Sequence, residues 1–193
     1  MPKIDNEKFY SSAIEMYGTT AKGVNWISAQ TQKKRFQVIL DLLPKELQEY
    51  TLLDAGCGFG DFYTYLQKKK NVPKKYIGVD SLEDMYNIAS SNTACEILIA
   101  DITKGEIPLT DFVVCSGALN TLTREETLQF IHTCFSASTM GFVFNILHGD
   151  KKSDTYNYFT TIDLQQICEA LKAKKIIFKD DYMDGDITVG IFK

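Results

Sequence analysis

Three glycines at alternate positions follow the first strongly apolar run of the chain. The segment at residues 52–61 reads Leu-Leu-Asp-Ala-Gly-Cys-Gly-Phe-Gly-Asp. Glycine tolerates backbone conformations that other residues avoid, and it lets a ligand approach the main chain closely. At the junction of a strand and a helix, such a loop predicts a ligand site whose backbone is formed by Gly56, Gly58 and Gly60.

Two acidic residues end the next two apolar runs. Asp80 closes the run at 75–80, roughly 20 residues beyond the glycines, where a carboxylate can accept hydrogen bonds from ribose hydroxyls. Asp101 closes the run at 95–101, and beside apolar Ile102 it can accept from the exocyclic amine of adenine. Because the carboxyl ends of parallel strands meet at one edge of a sheet, these residues predict a site for an adenine nucleoside.

The glycine spacing argues against a dinucleotide. A Gly-x-Gly-x-x-Gly fingerprint would place its third glycine at position 61, which is Asp61. An acid there repels a diphosphate at a helix N-terminus that would otherwise attract anions. S-adenosylmethionine, an adenosine derivative without phosphate, fits better. Asp61 has an alternative role, which is to stabilise the N-terminus of its own helix.

The apolar pattern of the chain predicts an α/β fold. Helical patterns alternate with short β-branched runs, which indicates βαβ units and a doubly wound parallel sheet. Only Asp180–Asp186 joins the last two runs, which is too short for a crossover helix, so one strand there is expected to be antiparallel. The seven runs lie at 51–57, 75–80, 95–101, 111–117, 141–148, 175–179 and 187–192.

Two further helices are predicted before the first strand, over 6–17 and 26–43. We therefore expect one domain over 1–193, with 1–48 as an N-terminal helical cap and 49–193 as the cofactor-binding core. The core would be a Rossmann-like, seven-stranded, mostly parallel sheet with one antiparallel C-terminal strand.

Composition restricts the partners. The 193 residues include 21 basic and 25 acidic side chains, for a net charge of −4 without a basic stripe, so nucleic acid is not an expected partner. No apolar run is long enough to cross a membrane, and the N-terminal residues do not resemble a secretory signal. The five scattered cysteines indicate reduced thiols in a cytoplasmic protein rather than a metal or disulfide set. With only two histidines, no metal site is predicted.

Taken together, the motifs resemble those of the class I S-adenosylmethionine-dependent methyltransferases. The resemblance covers residues 50–193, including the antiparallel last strand. Its motifs are specific for the fold and the cofactor and say little about the methyl acceptor. The segments that carry it are Asp54-x-Gly56-x-Gly58-x-Gly60, Ile77-Gly78-Val79-Asp80-Ser81, Ile99-Ala100-Asp101-Ile102 and Phe112-Val113-Val114-Cys115-Ser116-Gly117.

The resemblance implies a role for each of these residues. Asp54 would orient the glycine loop, whose glycines would give room to the methionine part of the cofactor. Asp80 would hold the ribose, and Asp101 with Ile102 would hold the adenine. The full set of implied cofactor-binding residues is Arg35, Asp54, Gly56, Gly58, Gly60, Asp80, Ser81, Asp101, Ile102, Ser116 and Gly117, the last two lining the methionine portion.

The N-terminal cap supplies Arg35 to that set. Small-molecule methyltransferases such as the ubiquinone-biosynthesis O-methyltransferases have an arginine at a similar spacing that binds the cofactor carboxylate, a task suited to the two parallel hydrogen bonds of a guanidinium. The alternative is a solvated arginine on the helix surface. Trp26 either packs over the cofactor or anchors its helix on the core, and the segment 18–25 is either a lid or a surface loop.

No catalytic residue stands out. His148, at the end of the fifth run, is a weak candidate base, and the alternative is a surface-loop histidine. The segment 116–121 lacks the Asn/Asp-Pro-Pro-aromatic motif of methyltransferases that act on planar nitrogens, so adenine or glutamine N-methylation is not expected. Asn120 could still contact a substrate. The aromatic segment 156–159 either forms a pocket wall or packs over the sheet edge.

The predicted activity is therefore methyl transfer from S-adenosylmethionine to a small molecule. One alternative is a catalytically silent S-adenosylmethionine-binding module, which turnover with a library of substrates would separate from an enzyme. A protein acceptor is a second alternative. A nicotinamide-dependent oxidoreductase is disfavoured by Asp61 and by the absence of a Tyr-x-x-x-Lys pair.

Overall fold

A computed structural model describes residues 2–193 of the chain, and an eight-stranded sheet lies at its centre. The strand order is β3-β2-β1-β4-β5-β8-β7, with the short β6 paired to β5. Strand β8 runs antiparallel to β5 and β7, and the other pairings are parallel. The strands are β1 (Thr51–Ala55), β2 (Lys75–Asp80), β3 (Glu96–Ile99), β4 (Thr110–Ser116), β5 (Ser138–His148), β6 (Tyr158–Phe159), β7 (Lys175–Lys179) and β8 (Asp186–Phe192).

Helices cover both faces of this sheet. Alternate residues of each central strand point to opposite faces, so Leu53 packs into the cluster beneath α5 and α6, whereas Leu52 packs beneath α2 and α3. None of the helices within residues 2–193 is long and apolar enough to span a bilayer. The helices are α1 (Asn6–Tyr17), α2 (Ala29–Leu42), α3 (Asp61–Lys68), α4 (Glu83–Thr93), α5 (Arg124–Ser136) and α6 (Thr161–Ala170).

The predicted Rossmann-like fold with one antiparallel strand is confirmed. The added strand, β6, pairs with the end of β5 and carries Phe159, which is fully buried. Two residues are too short a run to show period-two alternation, which is why the sequence pattern did not predict this strand. All five cysteines are free.

The N-terminal region differs from prediction at one boundary. Helix α1 has the predicted bounds, but α2 begins at Ala29 rather than near Trp26. Ser28 is its N-cap and accepts a hydrogen bond from the Thr31 amide at 3.2 Å, which fixes the start of the helix. A short 3-10 turn at Ala21–Val24 connects the two helices and packs against α1.

Gly60 provides a test of how tightly the start of α3 is packed. It has a φ of +77°, and a Cβ built there would lie 2.4 Å from Cγ2 of the buried Thr93. Gly18 also has positive φ, but a Cβ there would meet nothing within 4 Å. We expect Gly60→Ala to lower the free energy of unfolding by about 1–3 kcal/mol more than Gly18→Ala, because only the former overpacks a core. Urea unfolding of both variants measures the difference, and equal losses would contradict this packing.

Candidate functional site

A pocket opens at the carboxyl edge of β1, β2 and β4, beneath the N-terminal helices. The space enclosed by its lining, including the solvent-filled mouth, is about 1170 Å³. Ten of the sequence-predicted residues line it: Arg35, Asp54, Gly56, Gly58, Asp80, Ser81, Asp101, Ile102, Ser116 and Gly117.

The glycine loop forms the floor of the pocket. The amides of Gly56 and Cys57 donate to the Val79 carbonyl at 2.8 and 3.0 Å, which fixes the loop against the end of β2. Gly56 has a φ of +75°, and a Cβ there would lie 2.3 Å from the Cβ of Ala118, so only glycine fits. Gly60, which we predicted to line the site, lies behind the loop instead, because its role is to pack α3 against α4.

Asp80 joins the loop to the end of β2. One carboxylate oxygen accepts from the Gly58 amide at 2.9 Å and the other from the Leu82 amide at 3.2 Å. Burial raises the pKa of Asp80, and these backbone donors oppose the shift. An ionised carboxylate can accept about four hydrogen bonds, so two positions remain for a ligand after the main chain has taken two.

Asp101 and Ile102 line the pocket with a carboxylate beside an apolar side chain. Oδ1 of Asp101 accepts from the amide and hydroxyl of Thr103 at 3.0 and 2.6 Å, and Oδ2 pairs with Lys104 at 2.7 Å. Partial burial opposes ionisation of Asp101, but the hydrogen bonds from Lys104 and Thr103 outweigh it and lower the pKa. Ile102 is buried beside it and provides the apolar surface that the sequence predicts.

Asp54 lies at the end of β1, directly before the loop. It is 3% exposed, and it accepts a hydrogen bond from the Tyr76 hydroxyl at 2.5 Å. Burial, together with the nearby Asp80 and Asp61, raises its pKa from 3.8 to about 7 against the lowering effect of the hydrogen bond from Tyr76. This carboxyl is therefore partly protonated near neutral pH.

The N-terminal helices supply the opposite wall through Arg35. This side chain is buried, so the alternative of a solvated arginine is wrong. Its Nε donates to Asp186 at the start of β8, and its guanidinium stacks 4.7 Å from the centre of the Trp26 ring. Within residues 2–193 its Nη groups have no hydrogen-bond partner, although Arg35 lines the pocket.

Two more contacts hold this wall in place. Gln32 donates to Asp61 at 2.8 Å, which connects α2 to the first turn of α3. The Trp26 ring lies so close to Gly117 that a Cβ there would be 3.1 Å from it. Trp26 therefore both anchors the cap and lines the pocket, which combines the two roles that the sequence left open. Ser116 donates to Asn145 at 2.8 Å, so its hydroxyl is engaged within the sheet.

The structure does not bring His148 to the pocket. Its Nε2 lies 3.0 Å from the Thr161 hydroxyl at the start of α6, and it is not part of the lining. The reason is β6, which pairs Phe159 with His148 and covers this end of β5. The weak prediction of His148 as a base therefore has no geometric support. Asn120 does line the pocket, and its Oδ1 accepts from the Leu147 amide at 3.3 Å.

Sequence reasoning missed several lining residues, among them Asn6 and Tyr10 of α1. Three buried polar atoms in the lining have no hydrogen-bond partner within residues 2–193: Asn6 Oδ1, Asn25 Nδ2 and Thr121 Oγ1. An unsatisfied buried polar group costs about 1–3 kcal/mol, which makes these atoms natural partners for a ligand. Their types give no signal in the sequence, because an isolated Asn or Thr is common on any helix or turn.

The lining suits S-adenosylmethionine better than a phosphorylated cofactor. Arg35 is the one basic side chain among the described residues that form the lining, whereas four of them are aspartates. A diphosphate would face this acidity at the start of α3 without a second cation. A sulfonium cation is attracted by carboxylates and by aromatic faces such as that of Trp26. The lining therefore suits an adenosine cofactor that carries a positive charge and no phosphate.

Comparison with known proteins agrees with this geometry. A family described as a methyltransferase domain matches residues 52–141, from β1 to the start of β5. The chain is also 24% identical over 176 residues to the tRNA N(3)-methylcytidine methyltransferase trm140 of Schizosaccharomyces pombe. That alignment covers 90% of this chain and 50% of the relative, so the chain spans about half the length of the curated protein it matches.

Solved structures of methyltransferases share the fold. The magnesium protoporphyrin IX methyltransferase (ChlM) from Synechocystis PCC 6803 with bound SAH has a TM-score of 0.75 at 14% identity, covering 97% of this chain and 95% of that one. The same enzyme with bound SAM has a TM-score of 0.66 at 14% identity, covering 100% and 86%. At this identity the likeness shows the fold.

The raised pKa of Asp54 predicts that the free energy of unfolding depends on pH through this residue. Asp54→Asn keeps an acceptor for Tyr76 but cannot ionise. Below about pH 4 the carboxyl is neutral in both folded and unfolded chains, so wild type and variant should be similarly stable. Between about pH 4 and pH 7, Asp54 ionises in the unfolded chain before it ionises in the folded chain. The free energy of unfolding of wild type should therefore fall relative to that of the variant by on the order of a few kcal/mol, and this difference should stay constant above pH 7. Urea unfolding from pH 4 to 8 measures this gap, and a constant gap over the whole range would show that Asp54 is not buried in this way.

Proposed function

We propose that this chain, which belongs to the class I S-adenosylmethionine-dependent methyltransferases, transfers the methyl group of that cofactor to a small molecule. The bound cofactor supplies a methyl group on cationic sulfur: a lone pair of the acceptor bonds to the methyl carbon, the C–S bond breaks with its electron pair left on sulfur, and the acceptor loses a proton. The residues of this chain bind and orient the two reactants. Positioning alone can supply much of the rate of such a displacement.

The observation that carries the cofactor assignment is the geometry of Asp80. Its carboxylate lies at the end of β2 with both oxygens held by the main chain, so its direction toward the pocket is fixed. A carboxylate held in this way is pre-organised to accept hydrogen bonds from two ribose hydroxyls. In this arrangement the adenine lies beside Asp101 and Ile102, and the methionine part lies over Gly56 and Gly117.

Arg35 is assigned to the carboxylate of the cofactor. Asp186 holds the Nε of its guanidinium and Trp26 holds its plane, which leaves the Nη groups for a ligand. A guanidinium fixed from two sides loses little freedom when it binds a carboxylate. Asp54, behind the glycine loop, supports the orientation of the floor.

Charge favours a small acceptor over a nucleic acid. The curated relative is named as a tRNA methyltransferase, which keeps a tRNA acceptor as the second candidate. Proteins that grip nucleic acid neutralise phosphates with lysine and arginine, yet this chain has a net charge of −4 and its pocket lining is acidic. Helix α1 also covers the pocket, which suits an acceptor that fits inside it.

Binding of the demethylated product tests the cofactor site. In calorimetric titration we expect S-adenosylhomocysteine to bind and NAD not to bind. Asp80→Asn replaces one acceptor oxygen by a donor and should weaken S-adenosylhomocysteine by about 1–3 kcal/mol. Asp84→Asn, on the exposed first turn of α4 and outside the lining, is the matched control and should have no effect. Binding of NAD alone, or equal affinities for both aspartate variants, would overturn the assignment.

Product formation separates an enzyme from a silent binding module. The purified chain is incubated with S-adenosylmethionine and a panel of small hydroxyl, amine and thiol acceptors, with unmodified tRNA and unmodified protein as further acceptors. We expect S-adenosylhomocysteine to accumulate with a small molecule. Accumulation only with tRNA or only with protein would contradict the small-molecule acceptor. Binding without any turnover would favour the silent module.

The role of Arg35 in binding the cofactor carboxylate can be separated from its role in folding. Removing one partner of a buried ion pair leaves the other charge unpaired, so the test uses the double variant Arg35→Gln with Asp186→Asn. We expect it to weaken S-adenosylhomocysteine by about 1–3 kcal/mol and to leave adenosine binding unchanged, because adenosine has no carboxylate. Calorimetry with both ligands measures this, and equal losses would mean that Arg35 acts through packing.

A further inference from the structure

A second set of pocket residues has no role in the proposed cofactor site. Its members come from α1, from the turn after β4, from α5 and from the segment before β6, and all of them are uncharged. We name this set the cap cluster; it consists of Asn6, Phe9, Tyr10, Thr121, Phe130 and Tyr156.

These residues are neighbours in space as well as in the lining. Thr121, Tyr156 and Asp80 are all close enough to influence the pKa of Tyr10, which burial raises to about 12. The Asn157 amide donates to the Asn120 carbonyl at 2.8 Å, which holds the segment of Tyr156 beside the turn of Thr121. Because Tyr10 and Asp80 line the same pocket and the charge of Asp80 affects the pKa of Tyr10, the cap cluster lies on the side of the pocket near the proposed ribose position.

The cap cluster combines aromatic surface with free polar atoms. Thr121 is 3% exposed, and its Oγ1 has no hydrogen-bond partner within residues 2–193. Asn6 Oδ1 is also buried and unpartnered there. Phe130 is buried and presents apolar surface to the same pocket. An uncharged ring with a hydrogen-bonding substituent matches such a surface on both counts.

The charges of the pocket exclude an anionic acceptor. No member of the cap cluster is basic, and the only cation of the described lining, Arg35, is paired with Asp186 through Nε and assigned to the cofactor carboxylate through its Nη groups. A carboxylate or phosphate on the acceptor would lose its hydration and face Asp80 without a counter-charge. A neutral molecule pays no such cost.

We propose that the cap cluster is the acceptor subsite and that it takes an uncharged aromatic molecule whose nucleophile is a hydroxyl or amino group. Thr121 and Tyr10 orient that group by hydrogen bonds, while the aromatic residues hold the ring. The acceptor oxygen or nitrogen bonds to the methyl carbon, the C–S bond breaks with its electrons left on sulfur, and the acceptor proton is released to solvent. This inference rests on the proposed function.

Probe binding to the protein saturated with S-adenosylhomocysteine tests the subsite. The probes are catechol, 6-hydroxyquinoline and 6-aminoquinoline, and quinoline-6-carboxylate is the anionic match. We expect the neutral probes to give saturation-transfer NMR signals at millimolar concentration and the carboxylate to give none. Silence from all three neutral probes, or an equal signal from the carboxylate, would overturn the proposal.

Variants locate the binding and separate it from folding. Thr121→Val and Tyr10→Phe remove only hydroxyls, and each should weaken the probes about fivefold. Thr121→Val should not lower the free energy of unfolding, because the Thr121 hydroxyl has no hydrogen-bond partner within residues 2–193, and the affinity of both variants for S-adenosylhomocysteine should stay the same. Tyr17→Phe, on the exposed end of the same helix, is the control. If both pocket variants behave like Tyr17→Phe, the subsite assignment is wrong.

The two proposals fail in different ways. If wild type does not bind S-adenosylhomocysteine, as followed by the fluorescence of its single tryptophan, Trp26, the proposed function is wrong. If it binds S-adenosylhomocysteine but no neutral aromatic probe, only the acceptor inference is wrong.

Discussion

The buried ion pair between Arg35 and Asp186 is the constraint on which the pocket depends. It joins the second N-terminal helix to the last strand across 151 residues of sequence. Both side chains are almost completely buried, so each charge relies on the other, and breaking such a pair is far more costly than the pair is stabilising. Because Trp26 stacks on the guanidinium, the pair also fixes the aromatic ring that lies against Gly117.

The remaining features of the site follow from the edge of the sheet. Parallel strands bring Asp54, Asp80 and Asp101 to one side, and the glycine loop leaves open space above them. The antiparallel β8 begins at that same side, which is why Asp186 can reach Arg35. The pocket therefore has an acidic floor from the sheet and a covering wall from the N-terminal helices. The acidic floor suits the cationic cofactor, and the uncharged residues of the cap cluster suit the proposed uncharged acceptor.

The sequence predicted the floor much better than the cover. Glycines and acids at strand ends are local signals, so the sheet, its antiparallel strand and the lining residues at the strand ends could be located. Asp186 could not be paired with Arg35, since nothing in a single sequence relates residues so far apart. Tyr10 and Asn6 were missed because an amphipathic helix does not show which element its inner face meets. His148 was predicted to lie near the substrate because the sequence pattern did not reveal β6, which pairs with the end of β5 at His148.

A crystal structure of the complex with S-adenosylhomocysteine would show directly whether Asp80 and Arg35 bind the cofactor. We expect both ribose hydroxyls within hydrogen-bond distance of Asp80, and the ligand carboxylate on the Nη groups of Arg35 while Nε remains on Asp186. The space beside Thr121 and Tyr10 should stay free for the acceptor. A ligand bound with its adenosine under the N-terminal helices, or bound away from Asp80, would show that these residues do not form the cofactor site.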